Sequence, residues 1–154
     1  MELILWRHCE AEAGEPDLGR ALTGKGEKQA RRMAAWLHAH LPDSARILVS
    51  PARRSQQTAQ ALAELASRKF KTVDALAPGA GVDDVLRAAR WPDAKSVVVV
   101  VGHQPTLGRV AARLLTGAEV DWPVRKGGVW WFSSRDRDGV EQAVLRAVMN
   151  PELL

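Results

Sequence analysis

Apolar and polar positions along this chain switch between two rhythms, and each switch marks an element. Leu3-Ile4-Leu5-Trp6 is a short apolar run that breaks abruptly into Arg7-His8. Such a run reads as a buried strand, here Glu2 to Trp6, that emerges at the edge of a sheet. Cys9 to Leu22 is rich in Glu, Gly, Pro and Asp, lacks periodicity and reads as a loop. Thr23 is a good N-cap for a helix. Between Lys25 and Leu41, Ala30, Met33, Ala34 and Leu37 recur at helical spacing, Trp36 and Leu41 extend the apolar side, and Pro42 stops the helix.

Arg46-Ile47-Leu48-Val49 reads as a second short strand. Ser50-Pro51 then places an N-cap residue ahead of a proline at the first helical position, a helix-start signature. That helix should run to about Arg68, with Ala59, Leu62, Ala63 and Leu65 on its apolar side. Phe70 to Val73 reads as a third strand, Ala77 to Gly81 as a loop and Val82 to Ala89 as a short helix. Ser96 to Val101 is the strongest strand. Its five consecutive valines show no alternation, as expected for a strand buried on both faces of a parallel sheet. Gly102-His103-Gln104-Pro105 turns into a helix from Thr106 to Leu115. Gly127 to Ser133 and Val140 to Val148 read as two late strands joined by a polar turn, Arg135 to Gly139. There is neither an internal repeat nor a linker, so residues 1–154 read as one domain. Strands alternating with helices predict an α/β sheet with helices on its faces.

Charge alters this picture little. The net charge of +4 and the sequence pI of about 9.7 favour anionic partners. Lys and Arg are dispersed without the long runs of a basic arm, so nucleic acid is a weak candidate. The single cysteine, Cys9, excludes an intrachain disulfide. The amino-terminal apolar run is interrupted by Arg7 and is too short for a signal-peptide core. No apolar stretch approaches a membrane span. The expected compartment is the cytoplasm.

Three strands end in chemistry. The first ends in Arg7-His8. The second ends in Ser50-Pro51 and reaches Arg54 in the next helical turn. The valine strand ends in Gly102-His103. Taken alone, Arg54 beside Arg53 could be a surface arginine, and His103 a helix-capping histidine. His38 and His40 read as exposed helix-end residues without a role. If the strands are parallel neighbours, however, their carboxyl ends share one edge. Two histidines and two arginines would then converge at helix amino termini, which favour anions. That is a phosphate site built from protein groups.

The same residues carry a resemblance. Arg7-His8, Ser50-Pro51-Ala52-Arg53-Arg54-Ser55-Gln56-Gln57-Thr58 and Gly102-His103-Gln104-Pro105 resemble the R-H, S-P-x-x-R-x-x-Q-T and G-H-x-P patterns of the histidine phosphatase superfamily. Arg20-Ala21-Leu22-Thr23-Gly24-Lys25-Gly26 is similar to the family's R-x-L-T-x-x-G segment. The short length and Lys126-Gly127-Gly128-Val129-Trp130-Trp131 look most like the small bacterial phosphohistidine phosphatases. The resemblance implies a phosphoglycerate mutase-like, three-layer sandwich with a mostly parallel central sheet. It implies that His8 is the nucleophile, that Arg7 and Arg54 clamp the phosphoryl oxygens, and that His103 donates to the phosphoryl group. Arg20 is a candidate further phosphate contact. The substrate would be phosphohistidine on a partner protein, such as a phosphotransfer domain or phosphocarrier, with no cofactor or metal.

Larger members of that family also use a Glu or Asp as general acid. Asp74, Asp83, Asp84, Glu10 and Glu12 are candidates, and none sits in a matching motif. General acid help is worth about 10²–10⁴-fold. An alcohol leaving group needs it; an imidazole, with a pKa of roughly 6.5, can leave already protonated. The alternative readings are a broader phosphomonoesterase acting on small phosphorylated metabolites and a non-enzymatic phosphate-binding module. A compact chain has little room for insertions that enclose a small substrate. His8-Cys9 also opens like the H-C-x-x-x-x-x-R signature of cysteine phosphatases, but Glu15 stands where the arginine is needed.

Overall fold

Strand β1 (Glu2–Arg7) lies parallel to β4 (Val97–Gly102), in a register that runs from Glu2 opposite Val97 to Arg7 opposite Gly102. The computed structural model describes all residues, Met1–Leu154. Strand β2 (Arg46–Val49) pairs parallel with the other edge of β4, and the short β3 (Lys71–Thr72) pairs parallel with β2. Strands β5 (Val129–Arg137) and β6 (Val140–Met149) add antiparallel to β1. The sheet order is β3-β2-β4-β1-β5-β6.

The period-two geometry of strands splits the apolar residues between two cores. Leu3, Leu5, Val98 and Val100 face one side. They pack against Val82 and Val85 of α3 (Val82–Ala89) and Val110 and Ala111 of α4 (Thr106–Thr116). Ile4, Trp6, Val99 and Val101 face the other side, against α1 (Gly24–His40) and α2 (Arg53–Ala66). Met33 and Leu37 of α1, with Ala59 and Leu62 of α2, fill that layer. Val98 to Val101 are fully buried, as the unbroken valine run requires. The result is an α/β three-layer sandwich with two helices on each face of a mostly parallel sheet. No helix is long and apolar enough to cross a membrane.

Three local expectations change. The third strand shrinks to Lys71–Thr72, because only Leu48 and Val49 offer it partners. Helix α2 starts at Arg53 with Ala52 as its N-cap. The Ser50 hydroxyl still accepts the Ala52 N–H at 3.2 Å, but it has a second partner in the site. The late hairpin is longer than its apolar pattern. Its strands continue to Arg137 and from Val140, leaving a two-residue turn at Asp138-Gly139. Both turn residues have positive φ, 55° and 79°, the conformation of a type I′ turn, which favours Asp-Gly.

Candidate active site

Parallel pairing sets the ends of β1, β2 and β4 side by side. Arg7 stands opposite Gly102, and Val49 opposite Val101. Backbone hydrogen bonds then carry the alignment one residue past each strand. His8 N–H donates to the Gly102 carbonyl, and Ser50 N–H to the Val101 carbonyl. His8, His103 and Arg54 therefore converge. The two imidazole centroids are 5.1 Å apart, and the three residues are 8%, 4% and 4% exposed.

The tautomer of His8 is set by its contacts. Nδ1 lies 2.8 Å from the Cys9 carbonyl oxygen. A carbonyl only accepts, so Nδ1 carries the hydrogen and Nε2 keeps its lone pair. Arg54 Nε donates to that Nε2 across 3.4 Å. Burial, together with the Arg54, Arg7 and Arg20 charges, lowers the His8 pKa from 6.5 to about 4, despite the opposing Cys9 hydrogen bond. His8 is thus neutral at neutral pH.

His103 is held from the other side. Its Nε2 is 2.7 Å from Ser50 Oγ and 3.4 Å from Ser55 Oγ. Arg54 Nη2 reaches its Nδ1 at 3.5 Å. Burial and the neighbouring His8 and Arg54 charges lower its pKa from 6.5 to about 3. A guanidinium only donates, so Nδ1 accepts from Arg54 and Nε2 carries the hydrogen, given to the Ser50 hydroxyl oxygen; that hydroxyl could equally donate to a bare Nε2 if Arg54 turned away.

The arginines divide the remaining work. Arg54 Nη1 donates to the Asp17 carbonyl at 2.8 Å, and Nη2 to Asp17 Oδ2 at 3.1 Å. Arg7 Nη1 donates to the Val124 carbonyl at 2.7 Å. Its Nε is buried without a hydrogen-bond partner. A buried guanidinium N–H is costly unless something accepts from it, so this donor is left unsatisfied. Arg20 stands one step out. Its Nη1 bonds Asp17 Oδ1 at 3.1 Å and its Nε bonds the Glu12 carbonyl at 2.7 Å. It meets the site through Asp17 rather than directly.

None of the candidate acids is hydrogen-bonded to either histidine. Glu10 accepts from the Thr23 hydroxyl at 2.9 Å. Asp84 accepts the Gly81 N–H at 2.9 Å, ahead of α3, and Asp83 faces Arg113 at 3.4 Å. Asp74 and Glu12 make no side-chain ion pair. The carboxylate that does enter the network is Asp17. Its hydrogen bonds from Arg20 and Arg54 lower its pKa below 3.8 and keep it ionised.

Several residues that the sequence offers only as motif letters have structural roles. Thr58 Oγ1 accepts the Cys9 N–H at 3.0 Å and donates to the Arg54 carbonyl at 2.8 Å, clasping β1 to α2. Gln57 accepts the Leu22 N–H at 2.7 Å. A Cβ on Gly26 would lie 2.0 Å from the Glu10 carbonyl oxygen, so glycine lets α1 press on the segment just beyond His8. The Q-T of the second motif and the glycine of the loop motif are therefore braces. Asp17 had only its i,i+3 spacing from Arg20 as a signal. Burial pushes the Cys9 thiol up to about 12, despite its Thr58 contact, which makes it a packing residue and a poor nucleophile.

Comparison with known proteins identifies the family. The family "Histidine phosphatase superfamily (branch 1)" matches residues 3–78. The phosphohistidine phosphatase SixA homolog of Haemophilus influenzae is 35% identical over 127 residues, 74% of this chain and 77% of that protein. Phosphohistidine phosphatase SixA of Escherichia coli is 28% identical over 122 residues, 76% of each chain. The SixA structure from Nakamurella multipartitia superposes with a TM-score of 0.79 at 27% identity, covering 97% of this chain and 95% of that one. This chain belongs to the histidine phosphatase superfamily, within its SixA-like subgroup.

Proposed function

We propose that this phosphatase hydrolyses phosphohistidine on a partner protein through a covalent intermediate on His8. The observation that carries the reading is the His8 tautomer, whose Nε2 lone pair faces Arg54 inside a cationic pocket. The incoming phosphoryl group is clamped by Arg7 and Arg54, whose planar forks suit phosphate oxygens. Arg7 Nε gains the acceptor it lacks. The His8 Nε2 lone pair attacks phosphorus in line as the partner's P–N bond breaks. The partner ring, protonated on its second nitrogen, leaves as neutral imidazole. Water then attacks phospho-His8, the new P–N bond breaks, and phosphate departs with the water's proton.

His103 donates to the phosphoryl oxygens from Nδ1–H once Arg54 Nη2 has turned from Nδ1 to the phosphoryl group and the Ser50 hydroxyl donates to Nε2. Arg20 acts through Asp17 as an outer brace on Arg54. Phosphoryl transfer mainly needs positioning and charge neutralisation, which these cations supply, and no metal takes part. Asp17, held ionised, is a poor proton donor. That arrangement suits an imidazole leaving group and penalises an alcohol, because the general-acid contribution of about 10²–10⁴-fold is missing. The reaction belongs to a cytoplasmic, single-domain enzyme.

The test uses a ³²P-phosphohistidine protein, a phosphoserine peptide and a panel of phosphorylated metabolites. Rapid phosphate release from the protein, a transient acid-labile label on the enzyme and loss of both in His8→Ala are expected. Faster hydrolysis of phosphoserine or of a metabolite would overturn the substrate assignment. Turnover surviving His8→Ala would overturn the covalent step.

A further inference from the structure

Beside the catalytic pocket lies a second cleft of about 430 Å³, lined by charged and polar residues and Pro151. Lys25, Lys28 and Arg32 of α1 line one wall, and Arg125 and Lys126 of the loop before β5 line the other. All five side chains are on exposed residues. Spacings of three and four put the α1 cations on one helix face, away from Met33 and Leu37, which fill the core. Like charges so spaced repel. Elsewhere Arg20, Arg87, Arg109, Arg113 and Arg146 each meet a carboxylate, while the exposed Arg31, Arg46, Arg53, Arg90, Arg135 and Arg137 meet none; what distinguishes the cleft is that five cations line one cavity. Lys25, Lys28, Arg32 and Lys126 meet none, and only Arg125 is paired, with Glu152 at 2.8 Å. Glu10 and Glu152 also line the cleft, but their carboxylates are engaged by the Thr23 hydroxyl and by Arg125.

The cleft is joined to the catalytic segment by hydrogen bonds. Gln29 accepts the Glu10 N–H at 2.9 Å, two residues beyond His8. The loop carrying Arg125 and Lys126 is pinned at both ends, by Arg7 to the Val124 carbonyl and by Gly127 N–H to the His8 carbonyl. A partner seated on the cleft therefore sits at a fixed offset from His8.

We infer that this cleft docks an acidic surface of the phosphoprotein substrate, with carboxylates beside the phosphohistidine meeting Lys25, Lys28, Arg32 and Lys126. The inference rests on the phosphohistidine reading. Charge complementarity of this kind acts mainly on encounter and orientation. It should therefore appear in KM and in salt dependence rather than in kcat.

The test is the triple variant Lys25→Glu, Lys28→Glu, Arg32→Glu. The control reverses Arg46, Lys69 and Lys95, exposed cations near the amino-terminal ends of the parallel strands, on the opposite edge of the sheet. The probes are a phosphotransfer domain with acidic residues around its phosphohistidine, and phosphoimidazole. The cleft variant should raise KM on the protein about tenfold or more at low salt and leave kcat unchanged. It should leave phosphoimidazole hydrolysis at the wild-type rate. The effect should shrink in 0.5 M salt, where charges are screened within about 4 Å, and the control should keep the wild-type KM. Equal losses in cleft and control variants would reduce the effect to net charge and overturn the inference. An unchanged KM would overturn it too, as would loss of duplex-DNA retention without any change in KM. If the wild type releases phosphate from phosphoimidazole but not from the protein, the phosphohistidine-protein reading itself fails and takes the docking site with it.

Discussion

Two neutral histidines buried side by side make folding sensitive to acid. His8 and His103 titrate in the folded chain at about 4 and about 3, against 6.5 for an ordinary histidine. Between those values the unfolded chain binds protons that the folded chain refuses. Stability then rises with pH, because the slope tracks the protons bound unfolded minus those bound folded. Their contribution is fully present above the unfolded value and is lost as pH falls toward the folded values. From pH 7 to pH 5 the loss works out at about 2 kcal/mol per histidine, or about 4 kcal/mol together. That is a large share of a typical domain stability of about 5–15 kcal/mol. Asp17 does not blur the window. Its lowered pKa adds stability that is lost only as pH falls through the ordinary carboxylate range and below, under the histidine window. The assay is urea unfolding at pH 7, 6 and 5 for the wild type, His8→Gln, His103→Gln and the double variant. Each single change should remove about half of the histidine-derived slope, and the double change should flatten it. A wild type equally stable at pH 7 and pH 5, or a double variant that keeps the full slope, would refute the assignment of both rings as buried and neutral.

Single contacts set the other expected outcomes. Arg54→Lys keeps the charge but loses the fork that spans His8, His103 and Asp17; kcat/KM should fall by about 10² or more, and near-normal turnover in steady-state assays would contradict the clamp. Ser50→Ala removes the 2.7 Å partner of His103 Nε2. A hydrogen bond of about 1–1.5 kcal/mol corresponds to roughly tenfold in rate, so kcat should drop by that factor with KM unchanged, and Ser50→Thr should restore it. Gly26→Ala forces a Cβ to within 2.0 Å of the Glu10 carbonyl and should cost about 1–3 kcal/mol. Gly24→Ala, where nothing lies within 4 Å, should be neutral or stabilising by up to about 1 kcal/mol. Equal melting temperatures for these two variants would remove the packing argument.

What could be read from the sequence, and what could not, divides by the range of the signal. The valine run and the break at Arg7-His8 are local patterns, and sheet pairing turns them directly into a shared edge. Arg54 is legible because its helix starts immediately after β2, so its distance from the edge is set by a few residues. The polar outer half of the β5–β6 hairpin was not legible: Arg135 to Glu141 stand in solvent, and a strand with both faces wet has no apolar alternation to read. Ser50 looked like a helix cap because Ser-Pro is one. Its contact with His103 crosses 53 positions of sequence and depends on β2 and β4 being neighbours. Asp17 is the extreme case. It sits in an aperiodic loop whose path is fixed by Glu12 bonding Arg20 and Ala21 and by Leu22 donating to Gln57. Only after that loop is placed does its carboxylate reach Arg54, 37 positions away. The positions of the proposed nucleophile and its clamp are therefore readable, since strand ends locate them. Asp17, the carboxylate that bonds both Arg20 and Arg54, is not, because a loop rather than a strand end locates it.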